Sequence, residues 1–315
     1  MPDCTNHPEA QDPDGTHRVP PVGVRRDDPV RGILLVMLAM AFFSCSDAAA
    51  KYLGQTLPAV EIAWMRYASF ALLMLPLVLR HGSAVVRTER PVLQIVRGLG
   101  MLGSALFFIM AVHALPMAEA AAISYVSPVF ITVLSIVFLR EDIGLRRWAA
   151  VLIGLAGVLI VIRPGGATFQ AAAIFPILSA ASWAFGIVAT RKMTGEQSAA
   201  TTLIWSALTG LAVLSVLLPF DAVMPTGWQV AVGVFIGVMS TVAQGLLVVA
   251  YRYGDASVLA SYAYIQLIWS SGLGYLVFGA VPDVWTFVGS AVIVGSGLYT
   301  AHRERIRVRQ LAATV

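Results

Sequence analysis

The chain has 315 residues, of which 58% are hydrophobic and 12% are charged, and its formal net charge is +4. Soluble domains carry about 25% charged residues, so this composition excludes a soluble globular fold. The positive charge is therefore interpreted by its position along the chain rather than as affinity for an anionic partner.

The first segment, residues 1–30, is predicted to be a disordered cytoplasmic tail. It is rich in Pro, Asp and Gly and has no apolar core. Its acidic start lacks the basic end and apolar core of a cleavable signal peptide, so none is expected. The two cysteines, Cys4 and Cys45, fall in this tail and in the first apolar segment, so we expect no disulfide between them.

Ten apolar segments follow the tail, separated by short polar connections. Most are near the roughly 20 residues that a helix needs to cross the hydrocarbon core of a bilayer. The pattern predicts an all-α polytopic membrane protein with ten transmembrane helices. The segments lie near residues 32–52, 60–79, 93–113, 117–139, 146–163, 171–191, 201–219, 228–250, 256–279 and 284–302.

Basic residues concentrate in the connections on one side of these segments. If the N-terminus is cytoplasmic, the cytoplasmic connections contain most of the 21 Lys and Arg residues. One such group, Arg80, Arg87, Arg90 and Arg97, is assigned to the connection between the second and third segments. Because Lys and Arg favour cytoplasmic loops, the pattern predicts that both termini are cytoplasmic.

Ten helices can form two sets of five, and an odd set places the second copy upside down in the bilayer. The stretches AISYVSPVF and LASYAYIQL support such a repeat, because Ser124 and Tyr125 align with Ser261 and Tyr262. The sequence therefore predicts two inverted five-helix repeats.

Three charged residues, Asp47, Lys51 and Arg66, fall inside the first two apolar segments. Counting 1.5 Å per residue places Asp47 and Arg66 at a similar depth near the outer surface, with Lys51 one turn further out. Asp47 therefore has two candidate cationic partners. An unpaired charge at this depth is costly, so these residues are expected to pair or to face water. Three interpretations stay open. The charged residues form a structural clamp between two helices, or they act as a gate or substrate contact in which Asp47 can carry a proton. In the third interpretation, Lys51 simply extends to the outer headgroups.

Two further acids, Glu61 and Glu119, open the second and fourth segments on the same side. A carboxylate in the first turn of a helix complements the helix dipole, which is the interpretation we favour for both.

Proline interrupts the fourth segment at Pro128, near its midpoint. It removes one backbone hydrogen bond and frees the carbonyl of Ser124, and Tyr125 lies on nearly the same face. Broken helices at the bilayer midplane are where secondary transporters build substrate sites.

Polar and aromatic residues at equivalent depth in the eighth and ninth segments complete a candidate substrate cavity. Any one of the aromatic residues can instead face lipid or pack in the core, whereas a Gln inside the membrane needs a hydrogen-bond partner. Such a lining would suit a flat or amphipathic organic solute. The candidate binding residues are Ser124, Tyr125, Gln244, Tyr262, Tyr264, Gln266 and Trp269.

Several stretches resemble the drug/metabolite transporter superfamily, EamA-type branch: DAAAKYL, WMRY, LPMAEAAAISYVSPVF, LREDIGLRRWAAVLIGLAGVLIVIRPG and FGAVPDVWTFVGSAVIVGSGLYTAHRE. The resemblance covers roughly residues 31 to 305. It implies EamA-type repeats over residues 31–165 and 170–303 and a cavity between the halves. It also implies a cavity or gating role for Glu119. One departure is Ala280, where relatives carry an acid that corresponds to Glu141. The residues that follow the second repeat, 304–315, are predicted from their basic residues to be a cytoplasmic tail.

The resemblance implies a carrier of the bacterial inner membrane that moves a small organic metabolite by alternating access, rocking one half against the other. The motifs most resemble members linked to riboflavin or S-adenosylmethionine uptake, and riboflavin-like uptake is the specific expectation. The alternatives are an exporter of amino acids or drugs, or a non-transporting membrane scaffold. No P-loop and no nucleophile, Cys/His or metal-ligand cluster is present in the sequence, so we expect no enzyme activity, no catalytic residues and no cofactor or metal. The expected partners are a small-molecule substrate and the lipid bilayer, with no nucleic acid and no prediction of an oligomeric state.

Overall fold

The computed structural model describes residues 28–140, 145–164, 170–193, 198–251, 253, 259 and 262–312. The predicted tail up to residue 27, Glu141, Ser261 and the last three residues lie outside the described part of the chain. The helices are α1 (Pro29–Leu53), α2 (Ala59–His81), α3 (Pro91–Ala114), α4 (Met117–Ser124), α5 (Ser127–Leu134), α6 (Leu145–Ile162), α7 (Ile174–Lys192), α8 (Ala199–Leu217), α9 (Gly227–Ala250), α10 (Gln266–Phe278) and α11 (Val284–Ala312).

Within the described residues the helices form ten spans, because two of the crossings are each made of consecutive short elements. A span over Met117–Leu139 contains α4, α5 and a π-helical turn, and another joins a 3₁₀ turn at Ala263–Ile265 to α10. Seven spans are long and apolar enough to cross a membrane by length and composition, and three shorter apolar helices complete the set. The predicted all-α polytopic fold is confirmed.

Helix contacts repeat between the two halves as an inverted repeat requires. Helices α1, α2 and α3 correspond to α7, α8 and α9. The contact of α3 with α7 therefore matches that of α9 with α1, and the contact of α2 with α9 matches that of α8 with α3. Helix α5 meets α7 as α10 meets α1. Three further pairs join equivalent helices directly: α2 with α8, α4 with α10, and α6 with α11. Most packing partners of each half therefore belong to the other half.

The two halves approach closely at the crossing of α6 and α11, at Gly157 and Gly289. A Cβ on Gly289 would lie 2.6 Å from the carbonyl oxygen of Gly157, and a Cβ on Gly157 would lie 2.9 Å from that of Gly289. Both positions exclude any side chain, which is how small residues permit tight helix contact in membranes.

The bundle has two ends, which we name by the chain. The terminal end holds the start of α1 and the end of α11, and the far end holds the connection between α1 and α2. Helix α1 begins earlier than the predicted segment, because the Asp28 carboxylate accepts a hydrogen bond of 3.2 Å from the backbone of Arg31 and Pro29 fits the first turn. Helix α11 continues to Ala312, so most of the predicted basic tail is helical.

Arg97 corrects the assignment of the basic residues. It was expected in a connection, but it lies within α3 and is only 9% exposed. Its guanidinium donates to the Thr190 hydroxyl at 2.9 Å, to the Thr202 carbonyl at 3.1 Å and to the Ser206 hydroxyl. These hydrogen bonds join α3 to α7 and α8. Arg97 is therefore not one of the loop cations that indicate the orientation of the protein in the membrane.

Candidate functional site

A cavity of about 310 Å³ lies between the two halves of the bundle. Helices α1 to α4 contribute its walls from the first half, and α7, α9 and the start of α10 contribute them from the second. The cavity extends from Asp47 and Arg66 to Tyr251, which follows the last residue of α9 at the terminal end. Buried Leu53 and Ile62 fill the space between Asp47 and the far end.

The broken fourth span supplies one wall. Helix α4 ends at Ser124 and α5 begins at Ser127, with Pro128 in the first turn of α5 where its missing N–H is not needed. The Ser124 hydroxyl donates to the carbonyl of Ala120 at 2.9 Å, and Ser124 and Ser127 both line the cavity. The break therefore places hydroxyl groups and bare backbone beside the cavity rather than beside lipid.

The ninth span is also interrupted, and the two interruptions touch. The Tyr125 hydroxyl donates to the carbonyl of Ala263 at 2.9 Å, and the rings of Tyr125 and Tyr264 lie 4.7 Å apart. Tyr264 packs against Gly297, where a Cβ would meet its hydroxyl oxygen at 1.9 Å. Tyr125 lines the cavity, whereas Tyr264 packs against Tyr125 and is not part of the lining.

Asp47 is 5% exposed and lies at the end of the cavity nearer the far end. Two side chains are close enough to influence its carboxylate: the Arg66 guanidinium through its charge and Gln266 through its amide. Gln266 begins α10, so the interaction joins the first half to the second. All three residues line the cavity.

Lys51, the other candidate partner of Asp47, points elsewhere. Its ammonium donates to the carbonyls of Val112 at 2.5 Å and Leu115 at 2.8 Å, and it lies 5.6 Å from the centre of the Phe278 ring. A cation at these carbonyls satisfies the C-terminal end of α3 and complements its dipole. Lys51 does not line the cavity.

The two acids at the far end lie outside the cavity lining. The Glu61 carboxylate is buried and accepts a hydrogen bond of 3.1 Å from the backbone of Val223, so it fastens the connection before α9. Glu119 is near Arg163 and Asp283, which form an ion pair between the end of α6 and the start of α11. These three residues, Glu119, Arg163 and Asp283, are named the far-end charge cluster.

The structure brings together four of the seven residues predicted to bind substrate: Ser124, Tyr125, Gln244 and Gln266 all line the cavity. Gln244 makes no hydrogen bond with the described residues, which leaves its amide open to the cavity. Tyr262 and Trp269 are 39% and 40% exposed and lie outside the lining.

The sequence interpretation missed much of the cavity wall. Phe43, Phe108 and Trp183 contribute aromatic rings from α1, α3 and α7. Ser104 and Ser179 add hydroxyl groups, and the Ser179 hydroxyl donates to the carbonyl of Ser104 at 2.9 Å. Isolated Phe and Ser residues in apolar segments resemble ordinary packing residues, so no local pattern distinguishes them.

Among the residues that the structure describes, no three His, Cys, Asp or Glu side chains converge in a way that could hold a metal ion. The cavity lining offers one carboxylate, Asp47, together with hydroxyls, amides and rings. Such a set can bind and orient an organic molecule through hydrogen bonds, stacking and charge.

Comparison with known proteins identifies the family. The sequence pattern of the EamA-like transporter family matches the chain twice, over residues 30–163 and 170–300. The chain belongs to this family. The match confirms the resemblance found in the sequence and makes the protein a membrane transporter of the EamA type.

Three relatives illustrate the substrates that similar chains are named for. An S-adenosylmethionine uptake transporter of Rickettsia bellii is 28% identical over 277 residues, which is 87% of this chain and 94% of the relative. A riboflavin transporter of Rhizobium johnstonii is 29% identical over 293 residues, or 90% and 95%. A pseudopaline exporter of Pseudomonas aeruginosa is 31% identical over 268 residues, or 84% and 93%.

A crystal structure of another protein has the same fold. It superposes with a TM-score of 0.61 and 22% sequence identity, and the match covers 86% of this chain and 98% of the other.

Proposed function

We propose that this EamA-family transporter is a secondary carrier that imports a small organic metabolite with a flat ring system across the bacterial inner membrane. The observation that carries the proposal is the cavity of about 310 Å³ between the two inverted halves. A cavity of this volume falls at the lower end of the range typical of small-molecule sites. Its rings and hydroxyls suit a solute that stacks and forms hydrogen bonds.

The proposed orientation has both termini, and thus the terminal end, in the cytoplasm. The basic connections counted in the sequence support it even without Arg97, since Arg80, Arg87 and Arg90 remain outside the buried core. In this orientation the cavity leads from Asp47 towards the cytoplasm, and buried Leu53 and Ile62 separate it from the outside.

Alternating access then requires the far end to open. Polar interactions between the halves at that end include the ion pair of Arg163 with Asp283, the hydrogen bond from the Val223 backbone to Glu61 and the hydrogen bond from Gln229 to Thr56. These polar contacts join helix ends and connections, which can separate without the unfolding of a whole helix. The absence of a P-loop from the sequence supports drive by an ion gradient or by exchange rather than by ATP.

Riboflavin is the specific substrate proposed from the sequence. Phe43, Phe108 and Trp183 support a tricyclic ring by stacking, and Ser104 and Ser179 offer partners for a polyol chain. S-adenosylmethionine is the second candidate, because Asp47 and Arg66 supply one charge of each sign. The names of the relatives include both compounds.

The test is the uptake of labelled riboflavin and of labelled S-adenosylmethionine by cells that can neither make nor import the compound, at matched amounts of protein in the membrane. Expression of the wild type should raise uptake of one compound. Gln266→Ala removes a cavity amide and should reduce uptake about tenfold, the equivalent of one good hydrogen bond. Gln55→Ala, at an exposed position in the connection after α1, is the matched control and should transport normally.

The same cells separate the alternatives. Faster loss of preloaded compound, without uptake, would replace import by export. Unchanged fluxes of both compounds in both directions, with the protein well inserted, would contradict a carrier of either substrate. Equal loss in Gln266→Ala and Gln55→Ala would move the site away from this cavity.

A further inference from the structure

Arg97 is a buried cation to which the proposed function gives no role. Its guanidinium donates to the Thr190 hydroxyl at 2.9 Å, to the Thr202 carbonyl at 3.1 Å and to the Ser206 hydroxyl, and all three acceptors are neutral. Among the described residues no carboxylate forms an ion pair with it. Neutral side chains could join the same helices without removing a charge from water, so packing alone does not explain this arginine.

Arg97 has a counterpart in the other repeat, which is found by aligning the packed helices. Aligning the first residues of α2 and α8 pairs Arg66 with Ser206. The same alignment pairs Ser69 with Thr209, about one turn further along each helix. The arginine of α2 therefore corresponds to the serine of α8 that accepts a hydrogen bond from Arg97.

Two glycines align α3 with α9. On α3, a Cβ added to Gly98 would meet the side chain of Thr209 on α8 at 2.7 Å. On α9, a Cβ added to Gly237 would meet the side chain of Ser69 on α2. Because Thr209 and Ser69 are equivalent, the two glycines are equivalent as well. The crossing of α3 with α8 and the crossing of α9 with α2 are thus built alike, as inverted repeats require.

Each of these two crossings contains one arginine, but on a different helix. Arg97 precedes the glycine of α3, and Ile236 precedes the glycine of α9. At the first crossing Arg97 reaches Ser206, and at the second Ile236 is matched by Arg66. The two arginines lie at opposite depths, because α3 starts at the terminal end and α2 starts at the far end. Arg97 is therefore the terminal-end equivalent of the far-end cation Arg66.

The two arginines differ in their access to the cavity. Arg66, Tyr67 and Phe70 of α2 line the cavity, whereas no described residue of α8 does. Arg97 is only 9% exposed and is not part of the lining. Both guanidinium groups are close enough to Tyr67 to influence its hydroxyl group. Arg97 therefore lies directly behind a residue of the cavity wall.

The side of α8 that corresponds to this wall is made of small residues. The residues at the positions of the three lining residues of α2 are Ser206, Ala207 and Gly210. Here the Tyr67 ring packs where a Cβ on Gly210 would lie. If α8 took the place that α2 occupies, its short side chains would leave the guanidinium at Ser206 open to the cavity.

We infer that Arg97 is the cavity cation of the opposite conformation, in which the transporter is open at the far end. The inference rests on the alternating access of the proposed function, during which inverted halves exchange their conformations. Helix α8 then lines the cavity in place of α2, and the Arg97 guanidinium faces the cavity past Ser206 and Ala207. Helix α2 withdraws and takes Arg66 with it. One guanidinium is thus present at the closed end of the cavity in both conformations.

The test follows the labelling of a cysteine at Ala207, which is 1% exposed here and lies outside the cavity lining. Ala207→Cys is introduced into a variant that lacks the native cysteines, and a membrane-impermeant thiol reagent is applied to the outside of spheroplasts. We expect labelling from the outside, and faster labelling when Asp283→Asn loosens the far end. Ile204→Cys is the matched control, because it is 2% exposed on the same helix and its equivalent, Trp64, is not a lining residue. It should be labelled much more slowly.

The reactivity of the cysteine at Ala207 also reports the charge beside it. An anionic and a cationic methanethiosulfonate are compared, because a nearby guanidinium attracts the first and repels the second. Arg97→Gln should lower the ratio of anionic to cationic labelling rates about fivefold. Arg80→Gln, at an exposed position near the end of α2, is the control and should leave the ratio unchanged. If Arg97→Gln does not fold, the ratio with Arg97 intact, set against that of free cysteine, provides the same comparison.

Uptake of riboflavin and of S-adenosylmethionine, measured on the same variants, separates this inference from the carrier function. A ratio that falls in Arg66→Gln and not in Arg97→Gln would overturn the role of Arg97. Equally slow labelling of Ala207→Cys and Ile204→Cys in cells that take up either compound would overturn it as well and leave the carrier intact. The expected labelling in a protein that moves neither compound would support the inference and remove the proposed substrates. Absence of outside labelling at both Ala207→Cys and the lining position Ser104→Cys would contradict alternating access and this inference with it.

Discussion

The Tyr125 hydroxyl donates a hydrogen bond of 2.9 Å to the backbone carbonyl of Ala263, 138 residues further along the chain. Each residue lies at the interruption of its own span, so the bond joins the broken fourth span directly to the broken ninth. The two halves of the transporter therefore meet at their least regular points, where backbone groups need partners from outside their own helix.

Tyr125→Phe should lower the free energy of unfolding by about 1 kcal/mol, because it removes this hydrogen bond and keeps the ring. Tyr275→Phe, at an exposed position on α10, is the matched control and should change little. Unfolding in mixed micelles, followed by Trp fluorescence, provides the measurement. Equal transitions for the two variants would show that the bond contributes nothing to stability.

Two glycines on α11 give opposite expectations for the same substitution. Gly289→Ala forces a Cβ to within 2.6 Å of the Gly157 carbonyl oxygen, so we expect a loss of roughly 1–3 kcal/mol from overpacking. Gly295→Ala meets nothing within 4 Å and should be neutral or slightly stabilising. Thermal unfolding of the two purified variants compares them directly, and similar midpoints would contradict a tight crossing of α6 and α11.

Arg97→Ala should be strongly destabilising. The change removes a buried cation that donates to Thr190, Thr202 and Ser206, and a bond from a charged donor contributes about 1.5–3 kcal/mol. Arg80→Ala, at an exposed position near the end of α2, should leave the yield of folded protein unchanged. Size-exclusion profiles after detergent extraction report the yield of folded protein for the two variants. A monodisperse Arg97→Ala protein with the thermal unfolding midpoint of the wild type would exclude a structural role for this charge.

Asp283→Asn should weaken the far-end charge cluster by removing the partner of Arg163. The pair is partly exposed, so we expect accessibility of the cavity from the far end to rise only up to about fivefold, equivalent to 1 kcal/mol. To measure this accessibility, Ser104→Cys is introduced into a variant that lacks the native cysteines, and the rate of labelling by a membrane-impermeant thiol reagent is followed. Asp28→Asn, which breaks the exposed pair with Arg31 at the terminal end, is the control.

The hydrophobic pattern determines the fold because each apolar run must become a helix that satisfies its own backbone in lipid. That requirement is local, so the sequence was sufficient to predict the ten spans and the place of Asp47 and Arg66 within the first two of them. Arg97 shows the limit. Its position near the start of α3 resembles a loop arginine, and only the hydroxyls and carbonyls of α7 and α8 reveal that it is buried.

The cavity was predictable in its broken span and its amide groups, and not in its aromatic rings or in the hydroxyl groups of Ser104 and Ser179. The local chemistry of Ser124 and Pro128 indicates a helix break. Gln244 and Gln266 are recognisable as candidates because an amide side chain inside a membrane needs a hydrogen-bond partner. Helix spacing makes Lys51 one of two candidate partners of Asp47, but its ammonium donates to the carbonyls of Val112 and Leu115 at the end of α3. Tertiary partners of this kind leave no periodic signal in the sequence.

The packing of each half on the other has a consequence for how the protein is made. The Ser46 hydroxyl donates to the carbonyl of Ile236, 190 residues later, and the Ser44 hydroxyl meets that of Ser270, 226 residues later. When α1 leaves the ribosome and enters the bilayer, these partners have not yet been synthesised. The first half therefore enters the bilayer without the partners that fix these side chains, and its final packing depends on the synthesis of the second half.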